Sequence, residues 1–94
     1  MSKKDDFSNI DTTFELKKIG MRLKQVRKEL GYSSHETFAY SHGLDRAQYG
    51  KYEAGSSNIT LGTLIRILNV TKITLSQFFN DEYDALTSEV IINK

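Results

Sequence analysis

The stretch that most constrains this chain runs from Ser33 to Gly55, because it contains the signals for two short helices and one tight turn between them. The first helix is predicted from about His35 to His42. Gly43 follows at the position where a helix ends with a positive φ, which glycine adopts without a clash of Cβ. Leu44 completes the turn, so the chain is predicted to reverse direction within three residues.

A second helix is predicted directly after this turn. Asp45 can act as its N-cap, and Gln48 stands three residues later as the reciprocal partner of a capping box. The helix is predicted to end near Ala54, with Gly55 at the position after its C-terminus. Two short helices about a glycine turn form the helix-turn-helix arrangement.

With this arrangement in place, the sequence resembles the Xre/Cro family of helix-turn-helix domains, which includes the phage repressors. The resemblance covers roughly residues 14 to 79. It implies an all-α fold, a compact five-helix, lambda-repressor-like domain with helices 2 and 3 as the helix-turn-helix and polar tails at both ends. The matching residues are Ile19-Gly20-Met21-Arg22-Leu23, Val26-Arg27, Phe38-Ala39, Gly43-Leu44-Asp45, Tyr49, Tyr52-Glu53, Gly55, Leu64, Ile67, Leu75 and Phe78-Phe79.

Capping signals and apolar spacings mark the other three helices. Thr12 and Glu15 predict a capping box for helix 1, which is expected to end at Gly31. Thr60 predicts the N-cap of helix 4, and Thr74 with Gln77 predicts a capping box for a short helix 5. The apolar residues that mark these helices are Leu16, Ile19, Leu23, Val26 and Leu30 in one stripe of helix 1, Leu61, Leu64, Ile65 and Leu68 with Ile67 beside them in helix 4, and Leu75, Phe78 and Phe79 in helix 5.

The start of helix 2 has two possible caps. Ser33 with Glu36 forms the stronger capping box, whereas Ser34 keeps the family spacing to Phe38. With Ser34 as the cap, His35 takes the place of a glutamine that contacts phosphate and supports the recognition helix in the family. The resemblance also implies an ion pair between Arg27 and Glu53 that joins helix 1 to helix 3.

The first turn of helix 3 carries the candidate base-reading residues. The amino end of a recognition helix reaches base edges in the major groove, where arginine suits guanine, glutamine suits adenine and alanine suits the thymine methyl group. The predicted base contacts are Arg46, Ala47, Gln48 and Lys51. The predicted phosphate or supporting contacts are Ser34, His35, Ser57 and Asn58.

Charge and composition are consistent with a DNA partner and argue against a metal or cofactor site. The whole chain has a net charge of only +1, but residues 12–79 contain ten Lys/Arg and five Asp/Glu, a balance of +5, and acidic residues gather at both ends. A basic body suits nucleic acid. The chain has no cysteine, and His35 and His42 are seven residues apart, the wrong spacing for two ligands on one helical face, so no metal or cofactor is expected.

The sequence also excludes several other assignments. It contains no nucleophile–base pair and no phosphate-cradling glycine loop, so an enzyme is not expected. No signal peptide and no apolar run of about 18 residues is present, which predicts a cytoplasmic protein and no membrane partner.

The two ends are predicted to lie outside the domain, which spans residues 12–79. Residues 1–11 are expected to form a disordered arm. Residues 80–94 could be disordered, could form a turn of helix around Tyr83 to Leu86, or could form a strand that pairs with a second copy. The apolar run Val90-Ile91-Ile92 hints at a partner surface.

Together these observations predict a transcriptional regulator that binds double-stranded DNA sequence-specifically, as a homodimer on a two-fold site. The alternative is an antitoxin-type or other protein-interaction module with the same fold, whose tail binds a protein partner.

Overall fold

Six α-helices follow one another in the computed structural model, which describes residues 11–92 and side chains through residue 91. No strand occurs in that range, so the predicted all-α fold is confirmed, with one helix more than the five expected. None of the helices between residues 11 and 92 has the length and apolar character to cross a membrane. The helices are α1 (Thr12–Glu29), α2 (His35–Ser41), α3 (Arg46–Ala54), α4 (Leu61–Thr71), α5 (Leu75–Phe78) and α6 (Asp81–Ile92).

Local capping decides where most of these helices begin. The Ser34 hydroxyl accepts the Thr37 N–H at 3.1 Å and so caps α2, which settles the choice between the two serines. Thr60 caps α4 as predicted. Thr74 and Gln77 form the predicted capping box at the start of α5, with both reciprocal hydrogen bonds present.

The start of α1 differs from the prediction by one residue. The carboxylate of Asp11 accepts the Thr13 N–H at 3.0 Å, so Asp11 is the cap and Thr12 is already helical. With Asp11 as the cap, the third helical residue is Phe14, so Glu15 completes no capping box; its carboxylate accepts a hydrogen bond from Tyr83. The rest of the predicted N-terminal arm lies outside the described residues.

The core lies where α1, α2, α3, α4 and α5 meet. Five of the apolar residues named for the predicted helices 1, 4 and 5 are exposed, namely Leu30, Leu61, Ile65, Leu75 and Phe79. The two in α4 lie on the outer side because a helix buries only one face, and here that face carries Leu64, Ile67 and Leu68. The core residues are Leu23, Val26, Phe38, Ala39, Tyr49, Leu64, Ile67, Leu68 and Phe78.

A close approach of α1 and α3 requires glycine at position 20. A Cβ added to Gly20 would lie 2.6 Å from the carbonyl oxygen of Tyr52 and would also clash with the carbonyl of Glu53. The end of α3 therefore lies directly against the backbone of α1. Any larger residue at position 20 would push the two helices apart.

The chain after α5 forms a helix that packs on α1. Tyr83, Leu86 and Val90 are buried in α6. In the apolar run of the tail, Val90 is therefore buried, whereas Ile91 is exposed. The Tyr83 hydroxyl donates to Glu15 at 2.7 Å, and the ammonium of Lys18 lies 4.4 Å from the centre of the Tyr83 ring. Burial and the bond to Glu15 raise the pKa of Tyr83, so its hydroxyl keeps the proton that it donates.

Two basic residues of α1 are buried by this packing. Lys18 is only 6% exposed because α6 covers it. Arg22 is equally buried and donates from Nε to the Phe78 carbonyl and from Nη2 to the Gln77 carbonyl, both at 2.8 Å. Its Nη1 also donates to Gln25 and to Glu82, each at 3.1 Å. Arg22 thus satisfies the last carbonyls of α5 and holds α6 at its first turn.

We predict that Arg22→Met lowers the free energy of unfolding by about 2–4 kcal/mol, because two main-chain carbonyls lose their donors. Urea denaturation followed by circular dichroism measures the loss. Lys24→Met, at an exposed position of the same helix, is the matched control and should change stability by no more than about 0.5 kcal/mol. Equal stability of the two variants would contradict the role of Arg22.

Candidate nucleic-acid interface

The helix-turn-helix is held by a glycine turn and by aromatic packing. Gly43 has a φ of 69°, and the Leu44 N–H donates to the Ala39 carbonyl at 2.8 Å, which turns the chain from α2 into α3. The rings of Phe38 and Tyr49 lie 5.0 Å apart between the two helices, and Ala39 is fully buried beside them. The small side chain of Ala39 lets α2 and α3 cross closely.

The amino end of α3 is capped as predicted, but its capping box is incomplete. The Asp45 carboxylate accepts the Gln48 N–H at 2.8 Å. The side chain of Gln48 does not reach back to Asp45, because its Nε2 donates to the Ser57 hydroxyl at 3.1 Å. This bond links two of the predicted DNA contacts and ties the loop after α3 to the first turn of that helix.

The predicted base-reading residues lie on one outward side of α3. Arg46, Ala47 and Lys51 are exposed, whereas Gln48 is half-buried by its bond to Ser57. On the opposite side Tyr49 is buried in the core, as the helical spacing predicts. The exposed side of α3 therefore presents a guanidinium, a methyl group and an ammonium group to solvent.

An open hollow lies beside the first turn of α3. It is lined from α2 by His35 and Glu36, and from α3 and its cap by Asp45, Arg46 and Ala47. Its walls thus carry both charge signs, with Arg46 as the one arginine or lysine among these five residues. Hydrogen-bond donors and acceptors on an exposed helix end suit the edges and phosphates of a duplex.

The predicted phosphate contacts surround this helix end. Ser34 and His35 lie at the start of α2 and are half-buried; Ser57 is half-buried and Asn58 exposed in the loop before α4. The Ser34 hydroxyl is already engaged, since it accepts from the Thr37 N–H and donates to the Thr37 hydroxyl at 2.9 Å. A phosphate contact by that hydroxyl therefore requires it to leave Thr37.

Tyr40 is a further candidate DNA contact, which the sequence analysis did not identify. It is 77% exposed at the end of α2 and lines a shallow hollow with Glu36, Thr37 and Arg46. The sequence contained a signal for its exposure. Phe38 and Ala39 face inward on a seven-residue helix, so Tyr40, the next residue, is expected to point to solvent.

The pair of Arg27 and Glu53 joins α1 to the end of α3. Arg27 Nε donates to Glu53 Oε2 at 2.8 Å and Nη2 donates to Oε1 at 3.1 Å, and both side chains are almost fully buried. Arg27 Nη1 also donates to the Tyr32 carbonyl at 2.9 Å, which the sequence reasoning did not anticipate. Hydrogen bonding to Glu53 raises the pKa of Arg27 above its ordinary value, so the pair stays ionised.

His42 has a packing role in this structure. Its Nδ1 lies 2.9 Å from the Phe38 carbonyl, and its ring stacks 4.4 Å from the Phe38 ring. Within the described part of the chain, no three His, Cys, Asp or Glu side chains are arranged to hold a metal ion.

Comparison with known proteins gives a family and several relatives. A family model described as Helix-turn-helix matches residues 23–92. Control protein C.MunI of a Mycoplasma species is 41% identical over 64 residues, which are 68% of this chain and 86% of that protein. The SPbeta prophage-derived HTH-type transcriptional regulator YonR of Bacillus subtilis is 31% identical over 74 residues, 79% of this chain and 68% of that protein.

A solved structure is also similar to this chain. It is the crystal structure of the restriction-modification controller protein C.AhdI from Aeromonas hydrophila, with a TM-score of 0.65 and 33% sequence identity. The similarity covers 74% of this chain and 100% of that protein.

We predict that Glu53→Gln lowers the free energy of unfolding by about 3–5 kcal/mol or unfolds the chain outright, because it leaves the buried Arg27 guanidinium without a carboxylate. Urea denaturation at pH 7 measures the loss. Glu29→Gln, at the exposed end of α1, removes the same charge and should stay within about 0.5 kcal/mol of the parent chain. A loss at Glu53 as small as this control would show that the pair does not hold α3.

Proposed function

The chain belongs to the helix-turn-helix family of transcriptional regulators, and from this membership we propose that it binds double-stranded DNA sequence-specifically with α3 in the major groove. The observation that carries the proposal is the exposed side of α3. Arg46, Ala47 and Lys51 project from a helix whose other side is locked into the core by Tyr49. This rigid presentation limits the side-chain and backbone ordering that binding would otherwise require.

Each residue of the exposed side has a proposed partner on the DNA. Arg46 is expected to donate two hydrogen bonds to O6 and N7 of a guanine, and Ala47 to contact a thymine methyl group. Lys51 lies farther along the same side and is proposed to meet either a base edge or a phosphate. Gln48 is proposed to contact either a base or a phosphate. Its bond to Ser57 favours a position in which it orients the loop after α3.

The residues around α3 are proposed to hold the phosphate backbone on both sides of the groove. Ser34 and His35 would act from the start of α2, and Ser57 and Asn58 from the loop before α4. Such contacts set the register of the protein on the duplex and supply sequence-independent affinity.

We further propose that the chain acts as a homodimer. The supporting observation is the exposure of four large apolar side chains on α4 and at the two ends of α5: Leu61 (64%), Ile65 (37%), Leu75 (43%) and Phe79 (40%). Burial of large exposed apolar side chains between two copies would favour association. In a dimer the two copies of α3 would enter the major groove about 34 Å apart, one turn of DNA.

The names of two similar proteins favour a narrower function. C.MunI is called a control protein and C.AhdI a restriction-modification controller protein. By that likeness, the genes under the control of this chain would encode a restriction-modification system. Because the proposed function requires access to the chromosome, we expect the protein to act in the cytoplasm.

The alternative of a protein-interaction module keeps only part of the feature that suggested it. That feature was the apolar tail, which was expected to bind a protein partner. Tyr83, Leu86 and Val90 are buried against the rest of the chain, largely α1, whereas Ile91 is exposed.

Selection of bound fragments from a random duplex library tests the proposal and the homodimer together. We expect enrichment of a two-fold symmetric site whose half-sites are about 34 Å apart. Recovery of no duplex would reject DNA binding, and recovery of a single half-site would reject the symmetric dimer. For the narrower function, the enriched site should recur upstream of genes for a restriction endonuclease and its methyltransferase.

We predict that Arg46→Ala reduces discrimination at one base pair of each half-site by about 1–3 kcal/mol. Lys51→Ala, if that side chain meets phosphate, should weaken all duplexes alike and lower the slope of log affinity against log salt by about 1. Fluorescence anisotropy with the selected duplex and single-base variants measures both effects.

Lys72→Asn is the matched control for loss of a positive charge. Lys72 is exposed at the far end of α4 from the DNA-facing loop and has a φ of 62°, which asparagine tolerates. This variant should keep the affinity and base preference of the parent chain. An Arg46→Ala variant with the same base preference as Lys72→Asn would show that another side of the protein docks on DNA.

A further inference from the structure

Gly50 lies in the middle of α3 although nothing in its backbone requires glycine. The glycines with positive φ in the described chain are Gly31, Gly43 and Gly55, so Gly50 has a backbone that any L-residue adopts. Glycine weakens a helix interior compared with alanine. Its presence there points to a need for space and not to a need for conformational freedom.

The space beside Gly50 is filled by the imidazole of His35. A Cβ added to Gly50 would lie 2.8 Å from Nε2, 3.1 Å from Cδ2 and 3.6 Å from Cε1 of His35. These three ring atoms are the nearest neighbours at that position, so the ring rests edge-on against the Cα of Gly50. The first residue of α2 therefore occupies the place that a side chain at position 50 would take.

This arrangement sets how far the imidazole extends into the hollow beside α3. His35 lines that hollow with Glu36, Asp45, Arg46 and Ala47. Because the Nε2 edge faces Gly50, Nδ1 lies on the far edge of the ring, away from α3. A methyl group at position 50 would push the whole ring outward, toward the space that a duplex would fill.

We propose that Gly50 is a positioning residue for DNA binding, which acts by holding the His35 imidazole back against α3. This inference rests on the proposed DNA-binding function. In the held position, His35 can donate a hydrogen bond to a phosphate at the edge of the groove while Arg46 and Ala47 reach the bases. In the displaced position, the ring stands between the protein and the DNA.

The contact is not a requirement of the fold. The atoms that a new methyl group would meet belong to the end of a side chain, which can rotate away, and not to backbone as at Gly20. Alanine is also the better helix former. If Gly50 acts by positioning His35, Gly50→Ala should keep or raise stability and lower DNA affinity. A purely structural role predicts instead that stability falls.

The test is a double-mutant cycle with Gly50→Ala, His35→Ala and the combined variant, on the duplex that the parent chain enriches from a random library. We expect Gly50→Ala to weaken binding at least about fivefold while its melting temperature stays the same or rises by up to about 4–8 °C. In the His35→Ala background, the same glycine substitution should leave the affinity unchanged, because no ring remains to be displaced.

Gly62→Ala serves as the control for helix propensity. A Cβ added at Gly62 meets nothing within 4 Å, so its melting temperature reports the gain from alanine alone. The His35 ring resonances in the free protein provide a second measurement, since they should shift in Gly50→Ala and stay in place in Gly62→Ala.

Three results would overturn the inference. One is parental affinity in Gly50→Ala, and another is an equal loss of affinity in both His35 backgrounds, which would place the effect outside the His35–Gly50 contact. The third is loss of the cooperative thermal transition in Gly50→Ala, which would make the glycine a folding requirement. If the parent chain enriched no duplex, the proposed DNA-binding function itself would be rejected. That outcome is distinct from the three results above, which concern only the role of Gly50.

Discussion

The bidentate pair of Arg27 and Glu53 is the contact on which the geometry of this domain depends. It joins the end of α1 to the last turn of α3, and the bond from Arg27 to the Tyr32 carbonyl adds the loop that leads into α2. Three segments thus meet at one buried guanidinium. Because a buried charge is costly without a partner, the pair strongly disfavours arrangements in which α3 moves away from α1.

A second buried arginine, Arg22, fixes the packing of helices at the other end of the domain. Arg22 donates to the final carbonyls of α5 and to Glu82 at the start of α6. The helix α6 then covers Lys18 and buries Tyr83 against α1. Both buried arginines lie on α1, so this one helix positions the helix-turn-helix on one side and the carboxyl-terminal part of the chain on the other.

The candidate DNA surface combines this rigid support with side chains that remain exposed. Arg46 and Lys51 have no structural task in the described chain and stay in solvent, while Gln48 and Ser57 bond to each other and His35 rests on Gly50. The surface therefore has two layers. Its outer side chains can meet bases, and an inner set keeps α2, α3 and the following loop in register.

The sequence by itself determined the features that depend on a few neighbouring residues. The caps at Asp45, Thr60 and Thr74, the glycine turn and the all-α pattern follow from hydrogen bonds and φ preferences within one helical turn. Only the tertiary structure decided which side of α4 is buried, why Gln48 bonds Ser57, and where α6 packs. Those outcomes depend on contacts between segments far apart in the chain, which local periodicity does not encode.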